Sequence, residues 1–170
     1  MPITPFHFGP GSAIKALIPR YFSFTVFCFA QIVTDSEVIY YLLRREYPIH
    51  RFFHTYVGAG LVGLFCLIVG LPFCRLFLRK WHDWKEAPLK EYYDPSPRIP
   101  VVSAITGAFV GSYSHVFLDS IMHLDMHPLA PFNTANPFYN VIGAGSLHGV
   151  CFLLGVIGAW FCAERPEKPL

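Results

Sequence analysis

Residues Pro100 to Met122 read PVVSAITGAFVGSYSHVFLDSIM. The stretch has the length and apolar content of a membrane-spanning helix, which needs ~17–25 mostly apolar residues, yet it contains His115 and Asp119. An ionisable group in hydrocarbon costs at least ~2.5–3.5 kcal/mol on insertion scales, so such residues turn to a polar interior and find partners. His115 and Asp119 are four apart and therefore share a helical face. Continued backward, the same row runs through Gly111, Gly107 and Ser103. Small side chains at that interval let a second helix approach closely. The row predicts a face that packs inward and carries both groups into the centre of a helical bundle.

Three more stretches fit a spanning helix: Tyr21 to Leu43, Gly58 to Leu78 and Val141 to Ala163. The second and last contain no Asp or Glu, whereas the first is interrupted by Asp35 and Glu37. Over 170 residues, 54% are hydrophobic and only 14% charged, against roughly 25% charged in a soluble domain. The expectation is one all-α integral membrane domain covering residues 1–170: a bundle of about four transmembrane helices plus a short N-terminal helix, with a metal site between helices. A net charge of +2 and the lack of a basic stripe interleaved with aromatics argue against nucleic acid as a partner. The five cysteines sit in or beside apolar stretches with no CxxC pair, so they read as small hydrophobes rather than thiolate ligands. No basic n-region or cleavage pattern opens the chain, so its first retained helix is expected to direct insertion.

The distribution of Lys and Arg orients the bundle. Four spans place Lys15, Arg20, Arg75, Arg79, Lys80, Lys85, Lys90, Arg98, Arg165 and Lys168 on one side and Arg44, Arg45 and Arg51 on the other. This puts residues 79–99 in a cytoplasmic loop and 164–170 in a short cytoplasmic tail. The loops Arg44–Val57 and His123–Asn140 then face outward. Gly9-Pro10-Gly11 signals a helix start and Pro19-Arg20 a break. If Pro10–Ile18 and Tyr21–Leu43 form a helical hairpin at ~1.5 Å per residue, His7 and Asp35 reach similar heights. The alternative leaves residues 1–20 on the cytoplasmic surface.

With the hairpin, seven of the eight histidines gather toward the outer end, all but His82. Asp35, His54, His115 and Asp119 form the central candidate set, with His7 beside them as a further metal ligand. Weaker candidates are Glu37, His50, His123, Asp125 and His148. Imidazole and carboxylate together suit zinc, with manganese or iron as alternatives, and one or two such ions are expected. Arg51, next to His50, has the planar fork that clamps an anion. Against this stands a plainer reading, in which buried His and Asp only hydrogen-bond between helices. The segment from His123 to Pro128 reads more simply as a solvated loop.

The order Thr4-x-x-His7, Asp35 with Glu37, His50-Arg51 with His54, and Ser114-His115-x-x-x-Asp119 followed by a Pro-containing loop resembles the YdjM-like membrane-bound metal-dependent hydrolases, which implies an integral protein of the bacterial inner (plasma) membrane. The likeness runs from His7 to about Pro131. That family is grouped with zinc-dependent phospholipase C and the zinc single-strand nucleases, which split phosphodiesters. By motif order the resemblance implies a metal held by Asp35, His54, His115 and Asp119, and it matches His7 to a ligand of a second metal. It departs at Glu37, where an Asp is usual, and at His50 and His54, which stand four apart instead of five. The soluble enzymes' free N-terminal ligand and second HxxxD unit are missing, so one or two ions are implied rather than three.

The expected function is a membrane-embedded hydrolase of a phosphoester or phospholipid headgroup, with membrane lipid as its surroundings. Asp119 would orient the nucleophile, and His50 or Arg51 would hold the phosphate. The alternatives are a metal-binding or metal-transporting membrane protein without hydrolysis, and a purely structural bundle.

Overall fold

A computed structural model describes residues 5–85 and 99–164, with side chains given outside 82–85. Among the described residues the chain is all-helical. A 3-10 turn, Pro5–His7, leads into α1 (Phe8–Leu17), followed by α2 (Phe24–Arg44), α3 (Tyr56–Phe65), α4 (Leu71–Lys85), α5 (Val101–Met122) and α6 (Ala144–Glu164). Four helices are long and apolar enough to cross a membrane: Phe24–Arg44, Tyr56–Trp81, Val101–Met122 and Ala144–Glu164. They match the four stretches read from the sequence.

The second span is not one regular helix. Cys66–Gly70 forms a π-helical turn joining α3 to α4, with the Leu71 N–H bonded to the Cys66 carbonyl five residues back. Pro72 supplies the reason. It has no N–H and its ring crowds the carbonyl four residues earlier, so a widened turn just before it relieves the clash. Helix α4 also continues to Lys85, so residues 79–85, expected in a loop, are helical; no breaker intervenes before Pro88. The remainder of that loop, with Lys90 and Arg98, and the tail with Arg165 and Lys168 lie outside the described residues.

Local signals set the helix ends. The Ser23 hydroxyl accepts the Val26 N–H to cap α2, and Thr55 accepts Gly58 to cap α3. Arg45 closes α2 in the left-handed region at φ 54°. The turn from α1 to α2 is tied by the Lys15 ammonium, which donates to the carbonyls of Pro19 and Phe22 at 2.7 and 3.0 Å. This is the expected hairpin, and it returns the N-terminus to the level of Asp35.

Helix α5 is the centre of the bundle, packed against α2 and α3, while α1 lies against α6. The predicted small-residue row is the α2–α5 contact. Ser103 accepts the Ser23 N–H at 2.9 Å through its carbonyl, and Gly107 and Gly111 meet the backbone of α2 directly. On the other flank Gly9 sits so close to α6 that a Cβ there would fall 1.8 Å from the Cys151 carbonyl oxygen. Apolar packing of Val26, Ala30, Val62, Cys66, Ala104 and Ala108 fills the end of the bundle away from the histidines. None of the five cysteines is paired; Cys66, Cys74 and Cys151 are buried as small hydrophobes, whereas Cys162 is exposed.

Candidate metal centre

Asp35, His54, His115 and Asp119 converge between α2, α5 and the loop before α3, each offering a ligand atom within 4.8 Å of the others. All four are buried. His115 Nε2 lies 3.1 Å from Asp119 Oδ2 and 3.4 Å from Asp35 Oδ1. His54 Nε2 approaches the same Asp119 oxygen at 3.6 Å. His7, delivered by the turn before α1, places Nε2 3.4 Å from the other oxygen, Oδ1, which His123 Nε2 also approaches at 3.8 Å. One carboxylate therefore faces four imidazoles.

The tautomers can be read from the outward-facing nitrogens. His115 Nδ1–H donates to Gln31 Oε1 at 2.5 Å, and the Gln31 amide nitrogen donates to the Ser114 hydroxyl. His54 Nδ1–H donates to Glu37 Oε2 at 2.9 Å. Each ring thus keeps its proton on the outside and turns an Nε2 lone pair inward. The inward Nε2 atoms of His54 and His115, and both ring nitrogens of His7, are buried without a hydrogen-bond partner. Lone pairs of nitrogen and carboxylate oxygen facing one another across 3–4 Å repel unless a cation lies among them, and buried polar atoms are otherwise rarely left unpaired. Protonating His115 would relieve one contact, but not those of His54 and His7. Burial pushes the His7 imidazole down to about 4, with Asp119 opposing, and burial also lowers His54 despite its bond to Glu37. Both rings are neutral at pH 7 and fit to bind a divalent ion, so the donor set fits a metal.

Glu37 is not among the converging ligands. It accepts the backbone N–H groups of Arg51 and Phe53, each at 3.1 Å, besides orienting His54. Asp125 does the same for His50: Oδ2 accepts the N–H groups of Ile49 and His50, while Oδ1 takes His50 Nδ1–H at 2.9 Å. The loop from Ile49 to His54 is thus pinned by two carboxylates, each holding two amides and one imidazole. His50, His123 and Asp125 make a second group with metal-ligand spacing, and the His50 ring lies 4.3 Å from His123 and 4.8 Å from His54 between centroids. The solvated-loop reading of His123 to Pro128 is therefore corrected, since Met126 is fully buried and His123 and Asp125 face the cluster.

Two expectations are not met. The guanidinium of Arg51 donates to Glu46 Oε2 and the Pro48 carbonyl and lies 3.7 Å over the Tyr41 ring. Local partners have taken the fork assigned to phosphate. His148 stacks on Phe6 at 4.9 Å and belongs to neither group. Gln31 was not singled out in the sequence, although it stands four residues before Asp35 on one face of α2.

Replacing Glu37 with Gln should weaken metal binding about 10–100-fold while leaving helix content unchanged, because the outer partner of a ligating histidine sets its tautomer and basicity. Metal titration of the purified variant checks this, and wild-type affinity would show that Glu37 serves only the backbone.

No family model, no curated protein and no solved structure matches this chain.

Proposed function

We propose that this protein is a membrane-embedded, metal-dependent hydrolase of the YdjM-like type that cleaves a lipid-borne phosphoester. The observation that carries the reading is the set of inward, unpartnered imidazole nitrogens around Asp35 and Asp119. Zinc suits three or four N and O donors best, with manganese or iron as alternatives. Asp35, His54, His115 and Asp119 Oδ2 would hold the first ion. His7 and His123, which approach Asp119 Oδ1, are the residues that would serve a second. An ion at this place supplies Lewis acidity and lowers the pKa of bound water to ~7.

The chain's own residues supply the rest. Glu37 and Gln31 fix His54 and His115 so that their Nε2 atoms point inward without reorganisation. Asp125 fixes His50 in the same way; with its Nδ1–H on that carboxylate, His50 keeps Nε2 as an acceptor and would take a hydrogen bond or a proton rather than donate to a phosphate oxygen. Apolar spans on every side keep the site away from bulk water on the helical flanks.

The test is hydrolysis of a phosphodiester by detergent-purified protein, before and after chelation. Activity should vanish with the metal and return when one equivalent or two of zinc or manganese are restored. Protein that binds the ion yet hydrolyses neither soluble nor lipid phosphodiesters would instead be a metal carrier. Protein that never held metal would be a structural bundle.

A further inference from the structure

The connection from α5 to α6 turns several large apolar side chains outward. Leu124, Phe132 and Val141 are 70%, 87% and 70% exposed. Between His123 and Gly143 there is no Lys or Arg, and the one acid, Asp125, turns inward to His50. The backbone is nevertheless well tied. Asn136 Nδ2 donates to the carbonyls of Ser120 and His123 at 2.8 and 3.3 Å, and the Asn140 N–H donates to the Ile121 carbonyl at 2.9 Å. These bonds strap the segment across the end of α5, with Met126 and Pro128 buried beneath it and Leu124, Phe132 and Val141 facing away beside the exposed His127, Asn133, Thr134 and Asn140.

A groove of about 320 Å³ adjoins it, walled by Tyr56, Val57, Tyr113, Leu129 and Phe132. Val57 and Tyr113 belong to the exposed flank of α3 and α5, so the groove continues the lipid-facing surface of two spans up to the strapped segment. Tyrosines whose rings are apolar and whose hydroxyls are polar concentrate at the membrane–water boundary. The opposite end of the bundle differs, since Lys15, Arg20, Arg75 and Lys80 border it.

We propose that the segment 124–142 lies in the plane of the bilayer interface, with Phe132 and Val141 among lipid acyl chains and an acyl chain in the groove. The occupant is membrane lipid, because the surface carries no Lys, Arg or outward-facing acid and is continuous with the exposed apolar faces of α3 and α5. Resting on the hydrolase reading, this surface would make the bilayer, not bulk water, the source of the substrate.

The experiment replaces Trp81, Trp84 and Trp160 with Phe and then introduces Phe132→Trp in one protein and Val141→Trp in a second. Each is reconstituted in phosphatidylcholine–phosphatidylglycerol vesicles with acyl chains brominated near the headgroup or left unbrominated. The expected result is a loss of roughly half or more of the new tryptophan emission in brominated lipid and little quenching by aqueous iodide, as for an interfacial side chain. Quenching by iodide without quenching by bromine would overturn the proposal. Protection from both quenchers that disappears on dilution with lipid would also overturn it, by identifying a second copy of the chain as the cover. Neither metal nor turnover enters the readout, so a failure here is separate from a failure of the hydrolase reading.

Discussion

Asp119→Ala should empty the metal centre. Four imidazoles from three parts of the chain address this one side chain: His115 and His54 at Oδ2, His7 and His123 at Oδ1. Asp35 cannot replace it, because within the group its short contact is to His115 alone. Loss of an outer partner costs ~10–100-fold in metal affinity, and loss of the carboxylate that all four imidazoles face should exceed ~100-fold on that scale. Purified Asp119→Ala should therefore contain almost no zinc or manganese and hydrolyse nothing, with its helical circular dichroism intact. Asp119→Asn separates charge from shape. A site that needs only a hydrogen-bonding group of that size would tolerate it, whereas a metal site would not. Asp125→Asn is the contrast, since Asp125 reaches His50 and the loop amides but not the four-residue group, and it should keep the first ion. Full metal in both Asp119 variants would leave interhelical hydrogen bonding as the role of the cluster.

The spans were legible because hydrocarbon thickness imposes a length and an apolar content that few other folds require. The inward face of α5 was legible for a similar reason: a four-residue row of small side chains ending in His115 and Asp119 has only one good environment. The level of His7 followed from the fixed rise of a helix on either side of Pro19. What escaped the sequence depends on irregular backbone or on neutral polar groups. Gln31 carries no charge, so nothing in its cost announces it, and its partner His115 is 84 positions away. The pairing of Glu37 with His54 and Asp125 with His50 is set by the loop before α3, whose path has no period to read. Arg51 misled because its neighbours in sequence, Glu46 and Tyr41, compete for the guanidinium and win. Pro72 gives the physical cause of the π turn, but inside an apolar run of spanning length the stretch reads as an uninterrupted helix.

Gly107→Ala should damage both stability and the metal centre, although the substitution adds a single methyl group far from the ligands. A Cβ at Gly107 would lie 2.4 Å from the Ser23 carbonyl oxygen and 3.3 Å from the Phe27 nitrogen. Both atoms are backbone at the start of α2, so no side-chain rotation relieves the overlap. Overpacking of this kind costs about 1–3 kcal/mol, and the gain in helix propensity of about 0.5–1 kcal/mol offsets only part of it. Relief must come from moving α2 away from α5. Those two helices carry Asp35 and His115, whose ligand atoms are 3.4 Å apart, so the same displacement opens the site. The expected result is a lower thermal midpoint in detergent together with weakened metal binding. Gly149→Ala supplies the control, because a Cβ there meets nothing within 4 Å, and it should be neutral or slightly stabilising. A Gly107→Ala protein as stable as wild type and fully loaded with metal would mean that α2 and α5 are not in backbone contact, and the convergence of Asp35 on His115 would lose its structural cause.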